Sequence, residues 1–140
     1  MDVTLLAIVD LVVLIAAAAF GAASLLAWAR HRTDAFPVKK IVAHVALQLM
    51  SIGIWMAFVI TGRAAVAWAA FVVITVGQVF GDLLMFASHR ARHPGAHSSY
   101  LGIGGEVLSF RRPLPAFHAL VGAVGWFGML AICIIATVAR

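Results

Sequence analysis

Apolar residues in this chain come in four long blocks, 3–29, 41–61, 64–88 and 114–138, and most of the charge sits between them. Each block meets the roughly 20 apolar residues needed to cross the hydrocarbon core of a bilayer. Backbone in lipid has no water to bond, so each block is expected to be a helix. The first block resembles a secretory leader in hydrophobicity, but Asp2 precedes it, no basic residue does, and it is longer than a leader's apolar region. It reads as a retained anchor. The pattern predicts one all-α domain over 1–140, an integral membrane four-helix bundle running up-down-up-down.

Charge then orients the bundle. Arg30, Arg32, Lys39 and Lys40 lie in the first connection, and Arg90, Arg92, Arg111 and Arg112 in the third. Only Arg63 and Arg140 fall on the opposite side. The positive-inside rule makes the first and third connections cytoplasmic, places both termini outside and points to the cell membrane. The Thr61-Gly62-Arg63 link is a tight turn, whereas 89–113 is too long for a simple connection and is expected to be a functional loop. Its middle, 100–110, mixes apolar residues with glycines and suggests a segment in the membrane interface.

Composition narrows the partners. The hydrophobic fraction is 64% against 11% charged, too little polar surface to give each helix a water-facing side. The lipid bilayer is therefore the first partner. The net charge of +5 is accounted for by orientation, so no nucleic-acid partner is expected. The single Cys133 excludes an intrachain disulfide and suits a small packing role.

Polar residues inside the blocks carry the functional signal, because they are costly in hydrocarbon and face the bundle interior. His44, Gln48, Ser51 and Trp55 share one face of the second helix. Thr75, Gln78, Asp82, Met85 and His89 share one of the third. His118, Gly122, Gly125 and Met129 share one of the fourth, and Asp10, Ala17, Gly21, Ser24 and Trp28 one of the first. Measured from the nearest basic residue, His44 lies roughly 6 Å and His118 roughly 9 Å inside the membrane. In such a bundle the second and fourth helices are diagonal neighbours. Two histidines at one depth on a diagonal suit the two faces of a flat macrocycle, and imidazole is a common axial ligand of haem iron. Gly122 and Gly125 would leave room for the porphyrin edge, Lys40 and Arg112 lie near the propionates, and Asp82 or Gln78 would accept the ligand N–H.

Other readings stand beside this one. The polar faces would also serve helix–helix contacts in a cofactor-free accessory or scaffold subunit. His44, Asp82 and His118 would also suit a small proton- or metal-conducting protein. His89, His93 and His97, spaced by four, form a second candidate metal site, although Pro94 and Gly95 break the helix so that only His89 and His93 share a face. Asp10 is expected to be wetted near the outer interface. Acidic residues are too few and scattered for paired-carboxylate catalysis, and no phosphate loop, Cys-x-x-Cys or nucleophile elbow is present. The chain reads as an electron carrier or subunit more than a complete enzyme.

Two stretches resemble cytochrome b561-type membrane proteins. Ala43-His44-Val45-Ala46-Leu47-Gln48-Leu49-Met50 is similar to the histidine that starts a helix in that family, and Arg112-Pro113-Leu114-Pro115-Ala116-Phe117-His118 with Gly122 is similar to its His-x-x-x-Gly helix. The resemblance covers two of the four helices. It implies haem b held by His44 and His118, but that family's quinone or ascorbate chemistry is not carried over; redox proteins or quinone, and a homo- or hetero-oligomeric assembly, are expected instead from the reading as an electron carrier or subunit. Those proteins often hold two haems on four histidines. Here only two histidines fall inside the spans, so the resemblance implies one haem.

Overall fold

The computed structural model describes residues 2–30, 37–95 and 99–139. Five helices follow in order: α1 (Val3–Ala29), α2 (Val38–Thr61), α3 (Ala64–Arg92), α4 (Tyr100–Leu108) and α5 (Pro113–Val138). Four of them, α1, α2, α3 and α5, are long and apolar enough to cross a membrane. The ends follow from local chemistry. Asp2 caps α1 by accepting the Thr4 amide at 2.8 Å. Gly62, at φ 64, closes α2 in the left-handed conformation that only glycine adopts without strain, and α3 starts two residues later. Pro113 opens α5, where its missing N–H is no loss.

Two boundaries differ from the sequence reading. The second helix begins at Val38, three residues before Ile41, because Lys39 and Lys40 continue the turn that follows Pro37. The third runs to Arg92, so the stretch 89–113 is not one loop. Its first turn belongs to α3, and 100–108 form α4, capped by the Ser99 hydroxyl on the Gly102 amide. Charged residues there ended the apolar block but not the helix. Hydrophobicity measures the membrane span, whereas helix length is set by caps and breakers, here Pro94 and Gly95 (φ 81).

The four long helices pack as two intimate pairs, α2 with α3 and α1 with α5, and lighter contacts from α3 to α5 and from α1 to α2 join the pairs. Among the described residues α2 and α5 do not meet as backbones, nor do α1 and α3; they occupy the diagonals. Small residues permit the close approaches. A Cβ on Gly77 would fall 3.0 Å from Gln48, and one on Gly125 would fall 2.8 Å from Leu14. Lipid offers no hydrophobic drive between helices, so close van der Waals contact and interhelical hydrogen bonds hold such a bundle together. Ser51 donates to the Ala70 carbonyl at 2.8 Å, Trp55 to Ala7 at 3.1 Å and Trp126 to Thr75 at 3.0 Å.

Candidate functional site

His44 and His118 stand on the diagonal helices and point toward each other across the seam between the two pairs. Their ring centroids are 6.1 Å apart and their planes nearly perpendicular, at 89°. Both imidazoles are held the same way. The His44 Nδ1–H donates to the Gly77 carbonyl of α3 at 2.9 Å, and the His118 Nδ1–H donates to the Ala17 carbonyl of α1 at 2.8 Å. A carbonyl can only accept, so each bond fixes the proton on Nδ1 and leaves the Nε2 lone pair free. Among the described residues neither Nε2 has a hydrogen-bond partner.

Four residues beyond each accepting carbonyl sits a glycine. A Cβ on Gly81 would lie 3.0 Å from the His44 ring, and one on Gly21 would lie 2.8 Å from that of His118. The missing side chain one turn on is what lets each imidazole lie against the helix and reach its carbonyl. The same device thus appears twice, His44 on Gly77 and Gly81, and His118 on Ala17 and Gly21. Gly21 and Ala17 lie on the polar face read from the sequence, but their part as a cradle was not anticipated. The signal available was the four-residue spacing of Gly77 and Gly81 on α3 opposite a histidine on α2.

The other expected site residues divide. Asp82 and Gln78 do not take the imidazole N–H; the backbone carbonyls do. Gln78 instead accepts from the Gln48 side chain at 3.1 Å. Asp82 lines a groove with Val79, Leu83, Phe86, Arg90 and Tyr100 on the flank of α3. Gly122 meets no neighbour that a Cβ would touch, whereas Gly125 is needed for packing against Leu14. Lys40 lies one turn before His44, and Arg112 caps α5 six residues before His118, both at the histidine end of the bundle. Burial and the neighbouring Arg92 lower the pKa of the Arg112 guanidinium, with Glu106 acting in the opposite sense, so this arginine also faces the α3–α4 junction.

Two residues sit where the sequence did not place them. Asp10 is 5% exposed, not wetted, because Gly128 lets α5 close over its carboxyl, and its Oδ2 has no hydrogen-bond partner among the described residues. Glu106, the chain's one glutamate, reaches from α4 to the end of α3. It accepts from His89 at 2.7 Å and from Arg92 at 2.6 and 3.0 Å, and stands 3.7 Å from His93. Arg92 is braced in turn by the Ser88 hydroxyl. His97 lies outside the described residues. No protein-family model, curated protein or solved structure matches the chain, so the geometry alone bears on function.

Proposed function

We propose that this chain is a multi-pass protein of the cell membrane that binds one b-type haem between His44 and His118 and passes electrons, as a carrier or as a subunit of a redox complex. The observation that carries the reading is the paired imidazole geometry. His44 and His118 would be the residues to hold the iron, each through its Nε2. The rings stand 6.1 Å apart. Each is already in the tautomer a metal ligand requires, with the second nitrogen tied to a backbone carbonyl, the usual outer support of a ligating histidine.

The donor set also fits the group. The two imidazoles come from diagonal helices, and Gln48, Gln78, Gly81 and Gly122 on the same stretch of the bundle are only half-buried. Haem iron, when bound, supplies reversible one-electron chemistry. The protein's share is to hold the two Nε2 atoms in place, to exclude competing ligands and to set the surroundings of the iron through the Nδ1–H bonds. Lys40 and Arg112 lie at the end where propionates would emerge.

The bundle is read as up-down-up-down with both termini outside and connections one and three cytoplasmic. Bond registers support the alternating directions. His44 bonds Gly77 while Ser51 bonds Ala70, and His118 bonds Ala17 while Gly125 packs on Leu14. The distribution of Lys and Arg supports the sides. Electrons entering and leaving through one haem near the cytoplasmic side need a redox protein or a quinone as partner.

One observation favours a second reading. Both histidines already cross-link helices, which a cofactor-free scaffold subunit would also use. A reduced-minus-oxidised visible spectrum of the purified protein separates the two. The expected result is a sharp b-type band in the parent that is lost in His44→Ala and in His118→Ala. A colourless parent that takes up no added haem overturns the redox reading and leaves the scaffold.

A further inference from the structure

The junction of α3 and α4 holds a second cluster of ligating groups, at the arginine-rich end of the bundle and on different residues from the histidine pair. We propose that His89, His93 and Glu106 bind a divalent transition-metal ion of the zinc class. This site does not rest on the haem reading.

The helix supplies the first two ligands. His89 and His93 are one turn apart at the end of α3, and their ring centroids are 4.8 Å from each other. The second element supplies the third, because α4 turns Glu106 onto the same spot. One ligand atom from each of the three residues falls within 4.8 Å of the other two. Bonds of about 2.0–2.1 Å in a tetrahedron place neighbouring ligand atoms about 3.4 Å apart. The two separations from Glu106 Oε2, 2.7 Å to His89 Nδ1 and 3.7 Å to His93 Nε2, bracket that edge. Shifts of well under an ångström would bring both onto it.

Chemistry argues the same way. Two imidazoles and one carboxylate are a donor set that borderline divalent ions favour. Arg92 binds Glu106 through Oε1, which turns Oε2 toward the histidines and holds it there. The His93 side chain is 50% exposed, so the fourth position opens to solvent and would carry water. A bare ion-pair pin between α3 and α4 would need only His89, Arg92 and Glu106. His93 adds a third ligating group, which stands within ion-pair range of the same carboxylate oxygen at 3.7 Å but too far for a hydrogen bond. The nearby cations Arg90 and Arg112 oppose a further positive charge, while Glu106 offsets Arg92. Binding replaces the proton that His89 now shares with Glu106.

The test uses the full-length protein in detergent, without a polyhistidine tag, titrated with Co²⁺ as a spectroscopic probe and with Zn²⁺ in competition. The expected result is one ion per chain, d–d bands of a low-coordinate cobalt site, and displacement by zinc. His93→Ala, which removes an exposed ring that makes no hydrogen bond, leaves the fold intact and weakens binding at least tenfold. Glu106→Gln, which removes the anionic ligand and also loosens α4 from α3, weakens binding at least tenfold as well. His44→Ala and His118→Ala bind the ion as the parent does, which keeps this result separate from any haem result. A parent that takes up no cobalt or zinc overturns the site, and so does His93→Ala binding with parental affinity.

Discussion

The two halves of the bundle are built on opposite principles. Around Trp55 the interior is closed. Trp55, Met129 and Cys133 are at 0% exposure and Phe58 at 2%, with Ala64, Ala67 and Ala70 of α3 filling the narrow spaces between them. Around His44 and His118 the interior is polar, rich in glycine and only half-buried, and among the described residues Ile103, brought in by α4, is the large side chain at that end with exposure as low as 2%. A bundle held by packing can keep one half dense and leave the other for chemistry. Stability and ligand binding should therefore respond to different mutations.

The largest effect expected on stability comes from the closed half. Trp55→Ala removes the central side chain and its bond to the Ala7 carbonyl. In lipid the lost term is packing and not burial from water, so the cost is placed at about 3 kcal/mol, the lower end for Trp→Ala in soluble cores. Unfolding in mixed micelles measures it, while on the proposed haem reading the haem content per folded chain should stay unchanged. Equal stability of Trp55→Ala and parent would remove the idea that this half carries the fold.

Next come the two glycines under the histidines. Gly21→Ala and Gly81→Ala set a methyl against an imidazole that cannot retreat without breaking its bond to Ala17 or Gly77. On the proposed haem reading, affinity for haem should fall at least tenfold; stability should fall by about 1–2 kcal/mol in any case. Gly125→Ala is the contrast. Its Cβ would meet Leu14 at the same 2.8 Å that Gly21 shows against His118, but the atom met is the free end of a flexible side chain. The leucine can turn away, so this variant should lose less than about 1 kcal/mol and bind haem normally. If all three variants behave alike, the cradle has no special role.

A smaller effect is expected at the boundary between the halves. Ser51→Ala removes a buried donor and leaves the Ala70 carbonyl its helical partner, so about 0.6 kcal/mol should be lost, a typical value for interhelical hydrogen bonds in membranes. Thermal shift of the detergent-solubilised protein is sensitive enough to detect it. A loss as large as that of Trp55→Ala would show that polar contacts, not packing, hold the helices.

Much of this was legible in the sequence, and for a physical reason. Apolar blocks of bilayer length leave little choice of element, and polar positions such as His44, Gln48 and Ser51, or Thr75, Gln78 and Asp82, repeat at helical spacing, so their faces could be read directly. Helix ends were less legible, because Lys39, Lys40 and His89–Arg92 are helical without being apolar. The partners of the histidines were misread. Side-chain acceptors such as Asp82 and Gln78 are visible in a sequence, whereas the carbonyls of Ala17 and Gly77 belong to the backbone, and their access depends on glycines one turn away. Glu106 was missed because its three partners lie on a different helix, and Asp10 because only packing against Gly128 reveals its burial.

The weakest link is the dock of α4, and it should be sensitive to acid. Burial pushes the Glu106 carboxyl up, but the hydrogen bonds from His89 and Arg92, together with their charge, outweigh it and hold the pKa below its ordinary 4.5. A carboxyl depressed in the folded state stabilises it fully above the unfolded value. That contribution is lost as pH falls from about 4.5 through the lower folded pKa. Amide protection around Ile103, taken relative to the intrinsic rate at each pH, should be high at neutral pH and fall through this window, while protection around Trp55 stays high throughout. Glu106→Gln should remove the pH dependence and leave α4 weakly protected at every pH. If protection at Ile103 ignores acid in the parent, α4 is held by its apolar contact alone and the Glu106 cluster is free of any structural duty.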